Sequence, residues 1–220
     1  YINDTDFCVV AFTAPAVRVA IGDEFNYAPG TFLEGKMVSA LKKIGFDYCF
    51  DATFGADLTV MEESYELIEK LKRKEKPLFT SCCPSWVKYF KTYHEKDINN
   101  LSTCKSPLSM EATMIKTYFK DMYNLEKDKI ITVSIVPCVA KKYERKLYPE
   151  TDFALTTKEL AMMIRETNID FESLKDKEFD KLLGSSSSSG LIFGASGGVT
   201  EAVLRTAYYM LNGKKAPAKF

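Results

Sequence analysis

An α/β fold is predicted by three observations. Short apolar runs of strand character alternate with longer amphipathic segments, proline and glycine stand at the borders between them, and the composition is 46% hydrophobic with 27% charged residues. At 220 residues the chain suffices for one large domain or two small ones on the usual ~150-residue expectation. Its composition is neither disordered nor collagenous.

Phe7-Cys8-Val9-Val10-Ala11-Phe12 reads as a buried strand, and Pro15 follows where the first turn of a helix tolerates proline, with Val17, Val19, Ala20 and Ile21 behind it. A second helix is predicted over Thr31 to Ile44, closed by Gly45, and Phe46 to Asp51 then reads as a short strand. A long third helix from Ala56 to about Lys74 carries Leu58, Met61, Tyr65, Leu67, Ile68 and Leu71 between charges. Pro77 to Thr80 is a strand candidate leading into Ser81-Cys82-Cys83-Pro84, with a helix over Trp86 to Tyr93. Beyond lie a helix near Ser109 to Tyr123, strands at Ile130 to Val136 and Phe153 to Leu155, and helices near Thr157 to Thr167 and Gly198 to Leu211. The serine run bounded by Gly184 and Gly190 reads as a surface loop, because the segment after it is too short to fold alone.

Lys plus Arg and Asp plus Glu both number 30, so no broad basic field for nucleic acid is expected. No run approaches the ~18 apolar residues of a membrane span, and residues 1–20 lack a leader pattern, so neither a membrane nor a nucleic-acid partner is expected. A soluble, intracellular protein is the expectation. Six cysteines in this length do not make a disulfide scaffold, and the single histidine excludes imidazole-rich metal sites and His-based triads. Thiolate and carboxylate chemistry remains.

The strongest motif is Thr80-Ser81-Cys82-Cys83-Pro84-Ser85-Trp86, between a strand candidate and a helix. Adjacent side chains on extended backbone diverge, so one thiolate can bind a metal while its neighbour faces another cavity; two buried small hydrophobes are the bland alternative. A second motif, Pro137-Cys138-Val139-Ala140-Lys141-Lys142-Tyr143-Glu144, follows the strand ending at Val136, and Cys138, Lys141 and Glu144 recur every third residue. On a helical turn they share a face, where an ammonium held by a carboxylate can donate to an anionic ligand; a buried cysteine beside a surface ion pair is the alternative. Glu63 and Glu66 also lie three apart, and Glu66 with Lys70 fits an ordinary solvated pair. Phe193-Gly194-Ala195-Ser196-Gly197-Gly198 lacks the P-loop ending and reads as close backbone approach at a helix start.

These segments, with Thr13-Ala14-Pro15-Ala16-Val17-Arg18, Gly55-Ala56-Asp57-Leu58-Thr59-Val60-Met61-Glu62-Glu63 and Cys104-Lys105-Ser106-Pro107, resemble the active-site domain of iron-only (FeFe) hydrogenases over a stretch from about Phe7 to the last residue. The resemblance implies a two-lobed α/β domain, with approximate lobes 1–125 and 126–220 and small mixed sheets flanked by helices. It implies an H-cluster in the cleft between the lobes: a 4Fe-4S cubane bridged to a diiron centre with carbon monoxide, cyanide and azadithiolate ligands. Carried across by motif, Cys83 and Cys138 bind the cubane, Cys82 carries protons, Lys141 donates to a cyanide, and Ala14, Pro15 and Phe193 wall the diiron pocket. Glu63, Glu66 and Ser102 continue the proton route. The reaction implied is reversible conversion of two protons and two electrons to dihydrogen, with ferredoxin or another electron carrier as partner and maturation proteins for the diiron centre.

The sequence departs from the family pattern in three ways. A third motif with the remaining two cubane cysteines is absent, so the chain is expected to be a fragment. Val136 stands where many members have Met, and Leu108 where Gln is common. No Cys-rich ferredoxin-like segment precedes residue 1. Cys8, Cys49 and Cys104 match no ligand position and are expected to be packing thiols, and His94 a surface residue. The alternatives are a non-catalytic iron-sulfur assembly relative and a hydrogen sensor. An anaerobe's cytoplasm is the expected location, with a hydrogenosome-like organelle as the alternative.

Overall fold

The structure is a computed structural model that describes residues 1–75, 77–183 and 185–218. Gly184, which opens the serine run, and Lys219 and Phe220, at the end of the family-like stretch, lie outside the described residues. In chain order the elements are β1 (Cys8–Thr13), α1 (Val17–Ala20), α2 (Glu34–Ile44), β2 (Tyr48–Asp51), α3 (Thr53–Lys72), α4 (Pro84–Tyr93) and α5 (Pro107–Met114). They continue with α6 (Lys120–Met122), β3 (Ile130–Val136), α7 (Ala140–Glu144), β4 (Phe153–Thr156), α8 (Thr157–Glu166), α9 (Ser188–Ile192) and α10 (Gly198–Asn212).

The chain divides into two compact units, Tyr1–Ala52 with Glu111–Ser185, and Thr53–Met110 with Ser186–Phe220. The units interleave in sequence, rather than meeting at a single cut near residue 125. The reason lies in the sheet: β1 and β2 precede that cut, and their partner strands β3 and β4 follow it.

The first unit is built on a four-stranded sheet of order β2-β1-β3-β4 in which every pairing is parallel. Mixed sheets were expected, but among the described residues helices intervene between β1 and β2 and between β3 and β4, and such crossovers return the chain in the same direction. All seven residues of β3 are buried, as a strand covered on both faces requires, and its apolar residues are interrupted only by the small polar Thr132 and Ser134. On one face Val9, Ala11, Ile131, Val133 and Ile135 meet Met37, Leu41 and Ile44 of α2 and Leu160 and Ile164 of α8. Elsewhere in the unit's core, Phe50 of β2 meets Phe119 edge-on at 5.6 Å. The helix α8 begins with a complete capping box, Thr156 and Glu159 satisfying each other's backbone N–H.

The second unit centres on α3, whose Ser64 hydroxyl donates to the Val203 carbonyl of α10 at 3.0 Å. Asp57 of α3 accepts from the Ser187 hydroxyl at 2.7 Å and from its backbone N–H, and Ser187 caps α9. Ser188 and Ser189 are therefore helical, where only loop was expected. The strand candidate Pro77 to Thr80 reduces to one bridge, Phe79 to Leu101. Phe79 N–H donates to Asn100 and its carbonyl accepts from Ser102, so a neighbouring loop takes the ladder bonds.

Candidate functional site

In the first unit the parallel topology sets the site. β1 leads toward β2 on one side of the sheet and β3 toward β4 on the other, so the strand order reverses between adjacent β1 and β3. The carboxyl ends at such a reversal leave a crevice for ligands. Thr13 pairs with Ile135, and Ala14 N–H donates to the Ile135 carbonyl at 2.9 Å, so Ala14-Pro15 and Pro137-Cys138 leave the sheet side by side. Both Ala14 and Pro15 are half-buried, and Cys138 is exposed.

Arg18 holds the Pro15 turn. Its Nε donates to the Pro15 carbonyl at 3.1 Å, while the guanidinium pairs with Asp51 at 2.7 Å and with Glu34. Arg18 is only 6% exposed, and a buried guanidinium is tolerated because two carboxylates and a carbonyl occupy its donors. After Cys138 the chain turns immediately into a helix, Lys141 N–H donating to the Cys138 carbonyl at 3.1 Å. Lys141 and Glu144 pair at 2.6 Å with side chains 14% and 7% exposed. The i,i+3 spacing read from the sequence thus produces a buried ion pair one turn beyond the thiol.

In the second unit Cys83 is the N-cap of α4 in extended conformation, exposed, with Pro84 in the first turn and Val87 N–H on the Cys83 carbonyl at 2.9 Å. Cys82 beside it is half-buried, as divergent neighbours on extended backbone should be. Trp86 braces the turn through Nε1–H to the Thr80 carbonyl at 3.1 Å. Ser81 N–H donates to Glu63 Oε1 at 3.2 Å, which brings the α3 acid against the residue preceding Cys82. Glu63 is fully buried, and among the described residues its Oε2 has no hydrogen-bond partner. Burial raises its carboxyl above the usual 4.5, with the Ser81 and Ser102 donors pulling the other way.

Glu66, one turn along, is half-buried and accepts from the Ser102 hydroxyl at 2.6 Å and from Thr103 N–H at 3.2 Å. Lys70 reaches the Asn99 carbonyl, so the ordinary i,i+4 pair is not what organises this face. Sequence reasoning missed Ser81, Thr103 and Cys104 as members of this network, and Arg18 as the brace of the Pro15 turn. The one available signal was proximity, since each lies within three residues of a residue already singled out.

Phe193 is half-buried where α9 ends. Gly198 follows at the start of α10, and a Cβ there would lie 1.8 Å from the Ile192 carbonyl oxygen, so the close backbone approach expected of this glycine run is real. Cys49 is buried in the core and its thiol is pushed up to about 12 by burial, and Cys8 is half-buried. Cys104 is half-buried too, but it touches Glu66 rather than a purely apolar wall. His94 is exposed at the end of α4.

The donor chemistry fits an iron-sulfur cluster. Cys83 and Cys138 are the two exposed thiols among six, each at the mouth of a helix, and sulfur is the ligand that such clusters take. Among the described residues no three His, Cys, Asp or Glu side chains converge into a closed metal site.

Residues 8–219 match the family described as iron only hydrogenase large subunit, C-terminal domain. The chain is 44% identical over 227 residues to the NADP-reducing hydrogenase subunit HndD of Solidesulfovibrio fructosivorans, covering 97% of this chain and 39% of that protein. It is 46% identical over 225 residues to the periplasmic Fe hydrogenase large subunit of Nitratidesulfovibrio vulgaris, covering 97% of this chain and 53% of that one. The cytosolic iron-sulfur assembly component 3 of Bos taurus is 27% identical over 228 residues, with 96% and 48% covered. Among solved structures, the apo FeFe-hydrogenase HydA1 of Chlamydomonas reinhardtii superposes with a TM-score of 0.86 at 36% identity, covering 99% of this chain and 57% of that one. The chain therefore spans about two fifths to somewhat over half of these relatives. With the family matched over nearly its whole length and the α/β fold shared, the chain belongs to the C-terminal domain family of the iron-only hydrogenase large subunit.

Proposed function

We propose that the protein is an iron-only hydrogenase that interconverts two protons and two electrons with dihydrogen at an H-cluster. Ferredoxin or a similar carrier exchanges the electrons, maturation proteins deliver the diiron centre, and the setting is an anaerobic cytoplasm or a hydrogenosome-like organelle. Cys83 and Cys138 hold the 4Fe-4S part, and its other two cysteines belong to portions of the family that this chain does not span. When bound, the cluster would supply the redox chemistry, relaying the carrier's electrons.

This chain's own residues bind, shield and move protons. Pro15 and Ala14, held by Arg18 in the first unit, and Phe193, in the second, are the residues that the family resemblance assigns to the lining of the diiron group. Lys141, held by Glu144 at 2.6 Å, would donate to a cyanide of the bound group. The Cys82 thiol would carry protons to and from that group. Glu63 and then Ser102 and Glu66 connect that thiol to solvent.

The observation that carries this reading is Glu63: a fully buried carboxyl, bonded to the residue before Cys82, with its Oε2 unpartnered among the described residues. Most buried polar groups are hydrogen-bonded, so such an acid is a functional-site candidate. The iron-sulfur assembly alternative rests on relatives such as the 27% identical Bos taurus protein, and the hydrogen-sensor alternative on Val136. Retention of Cys82 beside this acid favours the enzyme.

The test uses the full-length protein, matured with the diiron cofactor and assayed for hydrogen evolution from a reduced dye. The parent is expected to turn over, and Cys82→Ala to lose at least ~100-fold, the usual worth of a positioned proton-transfer group. Its carbon monoxide and cyanide infrared bands should remain. An inactive parent overturns the hydrogenase reading, and a Cys82→Ala variant as fast as the parent overturns the proton-carrier role.

A further inference from the structure

Cys104 matches no ligand position, yet its Sγ lies 3.7 Å from Glu66 Oε2, within reach of an S–H···O hydrogen bond. The same carboxylate oxygen accepts from Ser102 Oγ at 2.6 Å, and Thr103 N–H reaches both carboxylate oxygens, so three successive residues close around one acid. Cys104 is anchored independently of its side chain. Its N–H donates to Ser102 Oγ at 3.1 Å, and its carbonyl accepts from Ser81 Oγ at 2.7 Å, tying this loop to the residue that precedes Cys82. The Ser102 hydroxyl is thereby oriented, accepting from Cys104 and donating to Glu66.

We infer that Cys104 is a positioning residue for proton transfer: its thiol holds the Glu66 carboxylate in the rotamer that links buried Glu63 to solvent. The role rests on the hydrogenase reading above, because only that reading makes Glu66 a proton relay. A thiol suits the task, since it is a weak and long donor that restrains an acceptor without locking it. Burial, with Glu66 and Glu63 adding to it, pushes this thiol up to about 12, so it remains protonated and stays a donor at any working pH. A hydroxyl can replace it in kind, and a methyl cannot.

Two measurements test the inference. In the chain without cluster, the infrared difference between parent and Cys104→Ala isolates the Cys104 S–H stretch. A hydrogen-bonded band is expected, moving toward the free-thiol position in Glu66→Gln. In the matured full-length protein, Cys104→Ala should slow hydrogen evolution about five-fold, what one neutral hydrogen bond is worth. The apparent KM for the dye should stay unchanged, and Cys104→Ser should restore the rate. A free-thiol band in the parent overturns the contact whatever the activity. Parent-like turnover in Cys104→Ala, or loss that Cys104→Ser does not restore, overturns the positioning role. An inactive parent with a bonded S–H band condemns the hydrogenase reading while leaving the contact intact.

Discussion

Glu63 shows how much a single side chain can say. Its side chain is wholly inside and its carboxyl is raised above 4.5 by burial, so the folded protein holds a proton there more tightly than the unfolded chain. A raised carboxyl makes its full contribution to stability below the unfolded value and loses it as pH climbs through the folded one. Glu63→Gln, which carries no charge at any pH, should therefore match the parent in urea unfolding at or below about pH 4.5 and become the more stable of the two at pH 8. On the proposed function, the same variant of the matured full-length protein should evolve hydrogen at least ~100-fold more slowly. A urea midpoint difference independent of pH would show that the site does not discriminate between the acid and its anion. By spacing alone Glu63 and Glu66 were an i,i+3 pair no different from a solvated face, and only the family resemblance put them on a proton route. What separates them is the loop 102–104 and Ser81, brought in by chain folding from 18 to 38 residues away in sequence.

At the scale of the element, legibility followed the locality of the signal. The fully buried β3 was readable because every residue but Ser134 is β-branched, and the start of α8 is written locally in Thr156 and Glu159. Deleting that cap by Thr156→Ala should cost about 1 kcal/mol in urea denaturation. Lys142 and the Thr156 N–H and hydroxyl lower the Glu159 carboxyl to about 2. The stabilisation from these contacts is thus present above the unfolded carboxylate range and fades as pH falls toward about 2. The parent and variant should accordingly converge in strong acid, and a constant gap down to that pH would separate the cap from its charge. The strand expected at Pro77 to Thr80 failed for the opposite reason. Its fate was decided by what lay alongside, and a loop carrying Asn100 and Ser102 lay there.

The interleaving of the two units was invisible to any local pattern. Composition, periodicity and capping describe neighbours in sequence, whereas the division depends on strand β3 returning beside β1 after the whole of the α3 and α4 region. A fragment of residues 1–125 keeps β1 and β2 but lacks both β3 and β4, leaving the inner edge of β1 unpaired. It should show no cooperative thermal transition by circular dichroism and should aggregate, and a sharp reversible melt would refute this account of the sheet. The family resemblance gave the α/β class, but a motif fixes residue types at short range and says little about which distant strand completes a sheet.

The same β1–β3 pairing sets a schedule for synthesis. Cys8 meets Ile130 in register, so at ~5–20 residues per second the ribosome exposes β1 for roughly 6–24 s before its central partner emerges. An apolar strand whose next six residues include the Pro15 turn must wait through that interval with only β2 for company. Chaperone demand and a narrow temperature range for production in a foreign host follow from chain order alone, before any iron is loaded.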